Sequence, residues 1–194
     1  MTPWRSPLAR ALHRNRSLPQ ARFIQLATVR ADGRPANRTV VFRGFRDDTD
    51  QLQIVTDARS EKIAEILHSP WGEICWYFPK TREQFRISGQ LILVPENTTE
   101  LLAVARQQAW LNLSDAARRQ FAWPPPGLPV SPSPRSVSEA EPPLPVSESP
   151  LPQFCLLLLE PAAVDWLELR PEPQSRWLYQ CQEDGTWSAT AINP

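Results

Sequence analysis

Three short stretches gather cations, hydroxyls and amides at a density that points to anion binding. In Thr56-Asp-Ala-Arg-Ser-Glu-Lys62, Ser60 is a natural N-cap, and Ile63, Ile66 and Leu67 follow at helical spacing. Arg59 and Lys62 therefore fall at a helix start, an end that free N–H groups already make positive. A phosphate held by Ser60, Lys62 and the first-turn amides would reverse that penalty. A solvated helix start with chance basic residues accounts for the pattern equally well. In the second stretch, Arg38-Thr39-Val40-Val41-Phe42-Arg43, the two guanidiniums of an ideal strand would face opposite sides. Both reach one ligand only if the strand bends, bulges or ends between them, and Gly44 allows an ending there. Edge or rim charges are the plainer alternative. The third stretch, Glu83 to Pro95, alternates: Gln84, Arg86, Ser88 and Gln90 share one face, while Phe85, Ile87, Leu91 and Leu93 share the other. That pattern gives a buried side and a polar row suited to ligand contacts.

What the chain lacks narrows the chemistry. Its only histidines are His13 and His68, which excludes a multi-histidine metal site and leaves a Ser/His/Asp triad without a recognisable motif. The 6 glycines form neither GxGxxG nor GxxxxGK[ST], so a nucleotide-like cofactor would have its phosphate held by something other than a glycine-rich loop. With 21 basic and 21 acidic residues, no global field draws the protein to nucleic acid or to an anionic membrane. No apolar run approaches the roughly 20 residues of a membrane span, and Met1-Thr-Pro-Trp-Arg lacks the apolar core of a secretory signal. A cytoplasmic location is the expectation. Cys75, Cys155 and Cys181 form no CxxC pair and read as small buried hydrophobes.

The elements that must position these residues are mainly strands. An Arg- and Pro-rich start around Leu8, Ala11 and Leu12 allows a short amphipathic helix. Phe23 to Val29, a turn at Ala31-Asp-Gly-Arg, and Asn37 to Arg46 make a hairpin. Leu52 to Thr56 precedes the helix from Ser60 to Ser69, and Gly72 to Pro79 and Glu83 to Pro95 are two further strands. Thr98 to Trp110 is helical by its Leu101, Val104 and Ala105, and Ser114-Asp115 caps a short helix to about Phe121. Residues 124 to 152 hold 11 of the 22 prolines and read as a linker or excursion within a single domain spanning 1–194. Phe154 to Leu159, Ala163 to Leu169 and Arg176 to Gln182 return to strand composition, with Gly185-Thr-Trp-Ser near the end. The fold class is mainly β with flanking helices (α+β), an antiparallel barrel of six to seven strands.

Taken in order, Arg38-Thr-Val-Val-Phe-Arg43, Val55-Thr56-Asp57, Ser60-Glu-Lys62, Glu83-Gln84-Phe-Arg, and Trp166 ten residues before Arg176-Trp-Leu-Tyr-Gln180 resemble the FMN-binding series of the pyridoxamine 5'-phosphate oxidase-like split-barrel family. The resemblance covers about 20–95 and 153–194. Leu113-Ser-Asp-Ala-Ala-Arg-Arg-Gln-Phe-Ala-Trp-Pro124 is similar to a run in the branch found in cyanobacterial and plant proteins. The resemblance implies FMN as cofactor and Arg38, Thr39, Val40, Val41, Arg43, Val55, Thr56, Ser60, Lys62, Gln84, Trp166 and Arg176 as its contacts. Within that set Arg38, Ser60 and Lys62 would hold the phosphate and Thr56 would lie along the ribityl chain or ring edge. Arg43 would face the entering substrate and Gln84 the isoalloxazine ring. It also implies a homodimer whose FMN sites are shared, with Gln84, Trp166 and Arg176 reaching across the interface. For Trp166 and Trp177, core or interface packing is the competing reading.

Two departures bear on the substrate. Where true pyridoxamine-phosphate oxidases carry an Arg-x-His pair on the substrate, this chain has Glu172 and Gln174. Replacing Arg by Glu at a phosphate contact turns attraction into repulsion. Glu61 likewise stands where the family has a phosphate-side cation, with Arg59 available to compensate. The sequence therefore favours an FMN-dependent oxidoreductase acting on a small-molecule substrate. A vitamin B6 oxidase in which Arg43, Arg106 or Arg119 restores the phosphate contacts, or a flavin-binding module without turnover, are its alternatives.

Overall fold

The strands form because β-branched and aromatic residues alternate with polar ones, and the sheet they make is antiparallel throughout. In the computed structural model, which describes residues 2–129 and 148–194, the order begins with α1 (Arg5–Asn15), β1 (Phe23–Val29), β2 (Pro35–Val41), β3 (Gly44–Phe45) and β4 (Leu52–Asp57). It continues with α2 (Glu61–His68), β5 (Trp71–Phe78), β6 (Glu83–Val94), α3 (Glu100–Leu111), α4 (Asp115–Arg119), β7 (Phe154–Glu168), β8 (Ser175–Cys181) and β9 (Trp187–Ile192). Hydrogen-bonded neighbours run β2-β1-β5-β6-β7-β4-β3, with β8 added to β7 and β9 to β8.

The fold class is the one the sequence implies, with nine strands among the described residues. Two sources account for the larger number. The stretch read as one strand from Asn37 to Arg46 is divided: β2 pairs with β1, and after Phe42 the chain crosses so that β3 pairs with β4 at the far end of the sheet order. The end of the chain, which carried no strand assignment, pairs as β9 with β8. In the other direction, the two strands read on either side of Pro161 are one continuous strand, β7.

β7 organises the molecule. One of its edges pairs with β6 from Leu156 to Glu168, while the other pairs with β4 over Phe154–Leu159 and with β8 over Ala163–Glu168. The partner changes where the β6–β7 register shifts, between Ser88 and Gly89 opposite Pro161. A bulge there accommodates a residue that has no N–H to donate. Gly89 is obligatory at this crossing, because a Cβ on it would sit 1.9 Å from the Glu160 carbonyl oxygen.

Both faces of β7 are covered, which explains its unbroken apolar run. Leu157, Leu159 and Val164 join a core with Trp4, Leu8, Ile24, Trp76, Phe85 and Trp166. On the opposite face Phe154, Leu156 and Leu158 meet Trp110 and Leu113, from α3 and the turn after it, and Phe121. Arg106 is buried beneath α3 and donates to the carbonyls of Phe154 and Leu151 at 2.9 and 2.8 Å, so it is a structural cation and no substitute for a lost substrate contact. Among the cysteines Cys155 is buried and Cys75 half-buried, whereas Cys181, contrary to the expectation from sequence, is exposed.

Candidate functional site

The sheet rolls so that its ends approach at β2 and β4, which neighbour each other without pairing. Arg43 spans this seam, its backbone N–H bonded to the Gln53 carbonyl at 2.9 Å. Gly44 follows at φ 132°, a conformation that favours glycine. The strand thus ends between Arg38 and Arg43, the condition under which both can serve one ligand. A cavity of about 440 Å³ lies at this seam, and Arg38, Thr39, Val40, Val41, Arg43, Val55, Thr56 and Lys62 all line it.

Lys62 lies on the first turn of α2 and donates to the hydroxyls of Thr56 and Ser60, both at 3.0 Å. Among the described residues no carboxylate comes within ion-pair distance of its ammonium. Burial, then the nearby Arg38 charge, pushes its pKa below the usual lysine value. Ser60 occupies the N-cap position, as its type suggests, but its hydroxyl makes no cap bond and instead donates to the Asp57 carbonyl at 2.7 Å. The hydroxyls therefore hold the lysine, and the helix start has no side-chain cap.

Arg38 is held from below. Its Nη2 donates to Glu65 Oε2 at 2.6 Å, and its Nη1 donates to Thr28 Oγ1. Thr28 in turn donates to the same Glu65 oxygen at 2.5 Å. Burial would raise the Glu65 pKa, but the bonds from Thr28 and Arg38 outweigh it and hold the carboxyl below its usual range. Arg59, the expected stand-in at the phosphate, is committed elsewhere. It donates to Asp57 Oδ2 at 2.7 Å and to the carbonyls of Phe121 and Trp123 at 3.4 and 3.0 Å. A carboxylate two residues away offers a stronger local partner than an approaching ligand, and the arginine pins the segment after α4 against the cavity.

That segment is the part of the site that residue types alone missed. Ala117, Gln120, Phe121, Trp123, Pro124 and Pro126 form a wall of the cavity. The only signal was the Leu113–Pro124 run, which carried no assigned role. The Pro-rich excursion of 124–152 thus begins as cavity wall, and its central part, 130–147, lies outside the described residues.

Ser60 does not itself line this cavity and meets it through its bond to Lys62, and Gln84, Trp166 and Arg176 do not line it either. Gln84, Leu167 and Arg176 are in register across β6, β7 and β8 and share one face of the sheet. Asp165, on that same face, accepts from Arg176 Nη2 at 2.8 Å and from Arg86. Trp166 is one residue out of phase and turns inward, stacked on Phe85 at 5.8 Å with its indole N–H donating to Glu83 at 3.1 Å. Strand alternation therefore places it in packing rather than with the other two. Glu172 and Gln174 are exposed in the β7–β8 connection.

The profile of the pyridoxamine 5'-phosphate oxidase FMN-binding domain matches residues 1–95, which carry the whole cationic half of the site. A pyridoxine/pyridoxamine 5'-phosphate oxidase 2 from Arabidopsis thaliana is 40% identical over 100% of this chain and 98% of its own length. The chain belongs to the pyridoxamine 5'-phosphate oxidase family. A pyridoxamine 5'-phosphate oxidase-related, FMN-binding protein from Nostoc punctiforme PCC 73102 superposes with a TM-score of 0.92 at 55% identity, covering 100% and 99% of the two chains. PhzG from Burkholderia lata 383, solved with tetrahydrophenazine-1-carboxylic acid, shares the fold with a TM-score of 0.78 at 22% identity over 98% and 90% of the chains. The rolled sheet with its unpaired seam is this family's split barrel. The residues here fit the family's cofactor: a half-buried lysine with, among the described residues, no carboxylate within ion-pair distance, two hydroxyls and an arginine are donors that a phosphate monoester satisfies. The cavity volume also falls in the roughly 300–1,000 Å³ range of small-molecule sites.

Proposed function

We propose that the protein is a cytoplasmic, homodimeric FMN-dependent oxidoreductase acting on a small molecule. The observation that carries this reading is Lys62, a largely desolvated ammonium held only by hydroxyls beside Arg38 at the cavity. Bound FMN would supply the hydride or electron transfer, so no protein acid or base is required. Lys62, Ser60 and Arg38 would bind the phosphate. Thr56 and Val55, with Thr39, Val40 and Val41, would flank the rest of the cofactor, and Arg43 would face the substrate. Gln84 and Arg176 lie on a surface apart from the cavity within one chain, which is what a site completed by a second copy requires.

A second reading, oxidation of pyridoxamine 5'-phosphate, is favoured by the name and full-length similarity of the Arabidopsis relative. Against it stand Glu172 and Gln174 in place of cationic and imidazole contacts. Steady-state hydrogen peroxide release with pyridoxamine 5'-phosphate, compared with reduction of the bound flavin by NAD(P)H, separates the two.

Lys62→Glu tests the cofactor site directly. It should cost roughly 2–5 kcal/mol of FMN affinity and leave riboflavin, which lacks the phosphate, bound as before. Equal losses for both ligands would remove Lys62 from the phosphate. The pH dependence has a definite sign. A phosphate raises the Lys62 pKa, so its contribution is complete below the depressed value of the free protein, starts to decline above it, and is lost as pH rises through the higher value of the complex. FMN affinity should therefore begin to fall below the ordinary lysine pKa of 10.5, with riboflavin affinity flat across the same range.

A further inference from the structure

A second cavity, of about 690 Å³, opens between α1, the turn that follows it and the β2–β3 crossing. Arg5, His13, Arg16, Arg22 and Arg43 line it, and no Asp or Glu does. Among the described residues Arg16, Arg22 and Arg43 have no carboxylate within ion-pair distance. Arg5 reaches Asp50 at 3.3 Å through Nε, but its Nη1 is buried without a hydrogen-bond partner. Arg16 folds back over the end of α1, where Nη1 donates to the His13 carbonyl at 2.8 Å. Burial, and to a lesser degree the Arg22 charge, pushes the Arg43 pKa down. A concave surface lined by one sign of charge focuses its field outward and concentrates counter-ions.

The rest of the lining is apolar. Leu12, Leu18, Phe42 and Phe45 face the same space, and the Arg5 guanidinium lies 3.2 Å from the Phe45 ring centroid. Cations around an apolar floor select an anion with an apolar body rather than a bare inorganic ion. We propose that this cavity is a binding site for an organic anion, an aromatic ring bearing a carboxylate or phosphate. Arg16 and Arg22 meet its charge, and Leu12, Phe42 and Phe45 meet its ring. The site touches the cofactor pocket only through Arg43, which lines both cavities. It rests on its own residues and not on the identity of the cofactor.

The test uses full-length protein saturated with FMN and 2-naphthoate as probe, with uncharged 2-naphthylmethanol as its partner, both followed by calorimetric titration. Naphthoate should bind once per chain and about tenfold or more tighter than the alcohol, as expected when charge-assisted contacts are made. Its affinity should fall as salt is raised. The double variant R16A/R22A changes two exposed side chains. It should lose about tenfold or more of naphthoate affinity and keep its FMN affinity. Absence of naphthoate binding to the wild-type protein, equal binding of acid and alcohol, or unchanged binding by the double variant would each overturn the assignment. Salt dependence in the wild type gives a reading that does not rely on the variant.

Discussion

Glu65 holds Arg38 at the cavity, where on the proposed function the guanidinium would meet the cofactor phosphate. The carboxylate accepts from both Arg38 and Thr28, so in the absence of cofactor it neutralises one of two neighbouring cations that repel one another. On that function a phosphate and this carboxylate would compete for the same guanidinium. Glu65→Gln keeps an acceptor for both donors but removes the charge. It should lower the stability of the cofactor-free protein by about 1.5–3 kcal/mol, the scale of hydrogen bonds to charged groups. It should also enlarge the rise in melting temperature on adding FMN, with the smaller effect of riboflavin unaltered. Thermal scans of the two proteins with each ligand would show it, and an unchanged or smaller FMN effect would rule the competition out. That Lys62 and Arg38 share one cavity was legible in the sequence because cations at a helix start and a strand end need an explanation. Glu65 was not, since its role arises only when β1, β2 and α2 are brought together. Arg59 was misread for the reverse reason: its charge was visible, its tie to Asp57 and to two distant carbonyls was not.

At the level of elements, the alternation of β6 and the helical spacing of α2 sufficed to place both correctly. What pattern could not supply was the behaviour of the chain at Pro161, which reads as a strand break but lies within β7. A proline cannot donate, yet the bulge opposite Gly89 relieves the need for it to do so. The same crossing leaves no room for a side chain on residue 89, where a Cβ would clash with the Glu160–Pro161 backbone paired to β6. Gly89→Ala should therefore destabilise the fold by more than about 2 kcal/mol, read as a lower urea midpoint. A variant as stable as the parent would show that the crossing yields easily. The wall formed by residues 117–126 escaped for a related reason: prolines mark it as irregular, and irregular segments show no periodicity from which their neighbours can be inferred.

For the molecule as a whole, the separation of Gln84 and Arg176 from the cationic cavity makes a specific demand on assembly. If each site takes its phosphate-binding half from one chain and the Gln84–Arg176 face from the other, two inactive variants should repair each other. Lys62→Glu and Arg176→Ala chains, each deficient in FMN binding, would on random reassortment form mixed dimers in which one of the two sites is intact. About a quarter of all sites should then recover normal FMN affinity, a fraction fixed by two-fold symmetry. Titration of the mixed sample against the separate ones measures it, and no recovery would mean that each chain builds its site alone. Asp165 retains Arg86 in the second variant, so that change does not strand a buried charge.

The long strand that borders β6 on one side and both β4 and β8 on the other has a consequence for how the protein comes apart. Many sheets possess a weak line along which one portion can detach while the remainder persists. Here β4, beside the lysine, and β8, which carries Arg176, both pair with that one strand, so loosening it is felt on both sides.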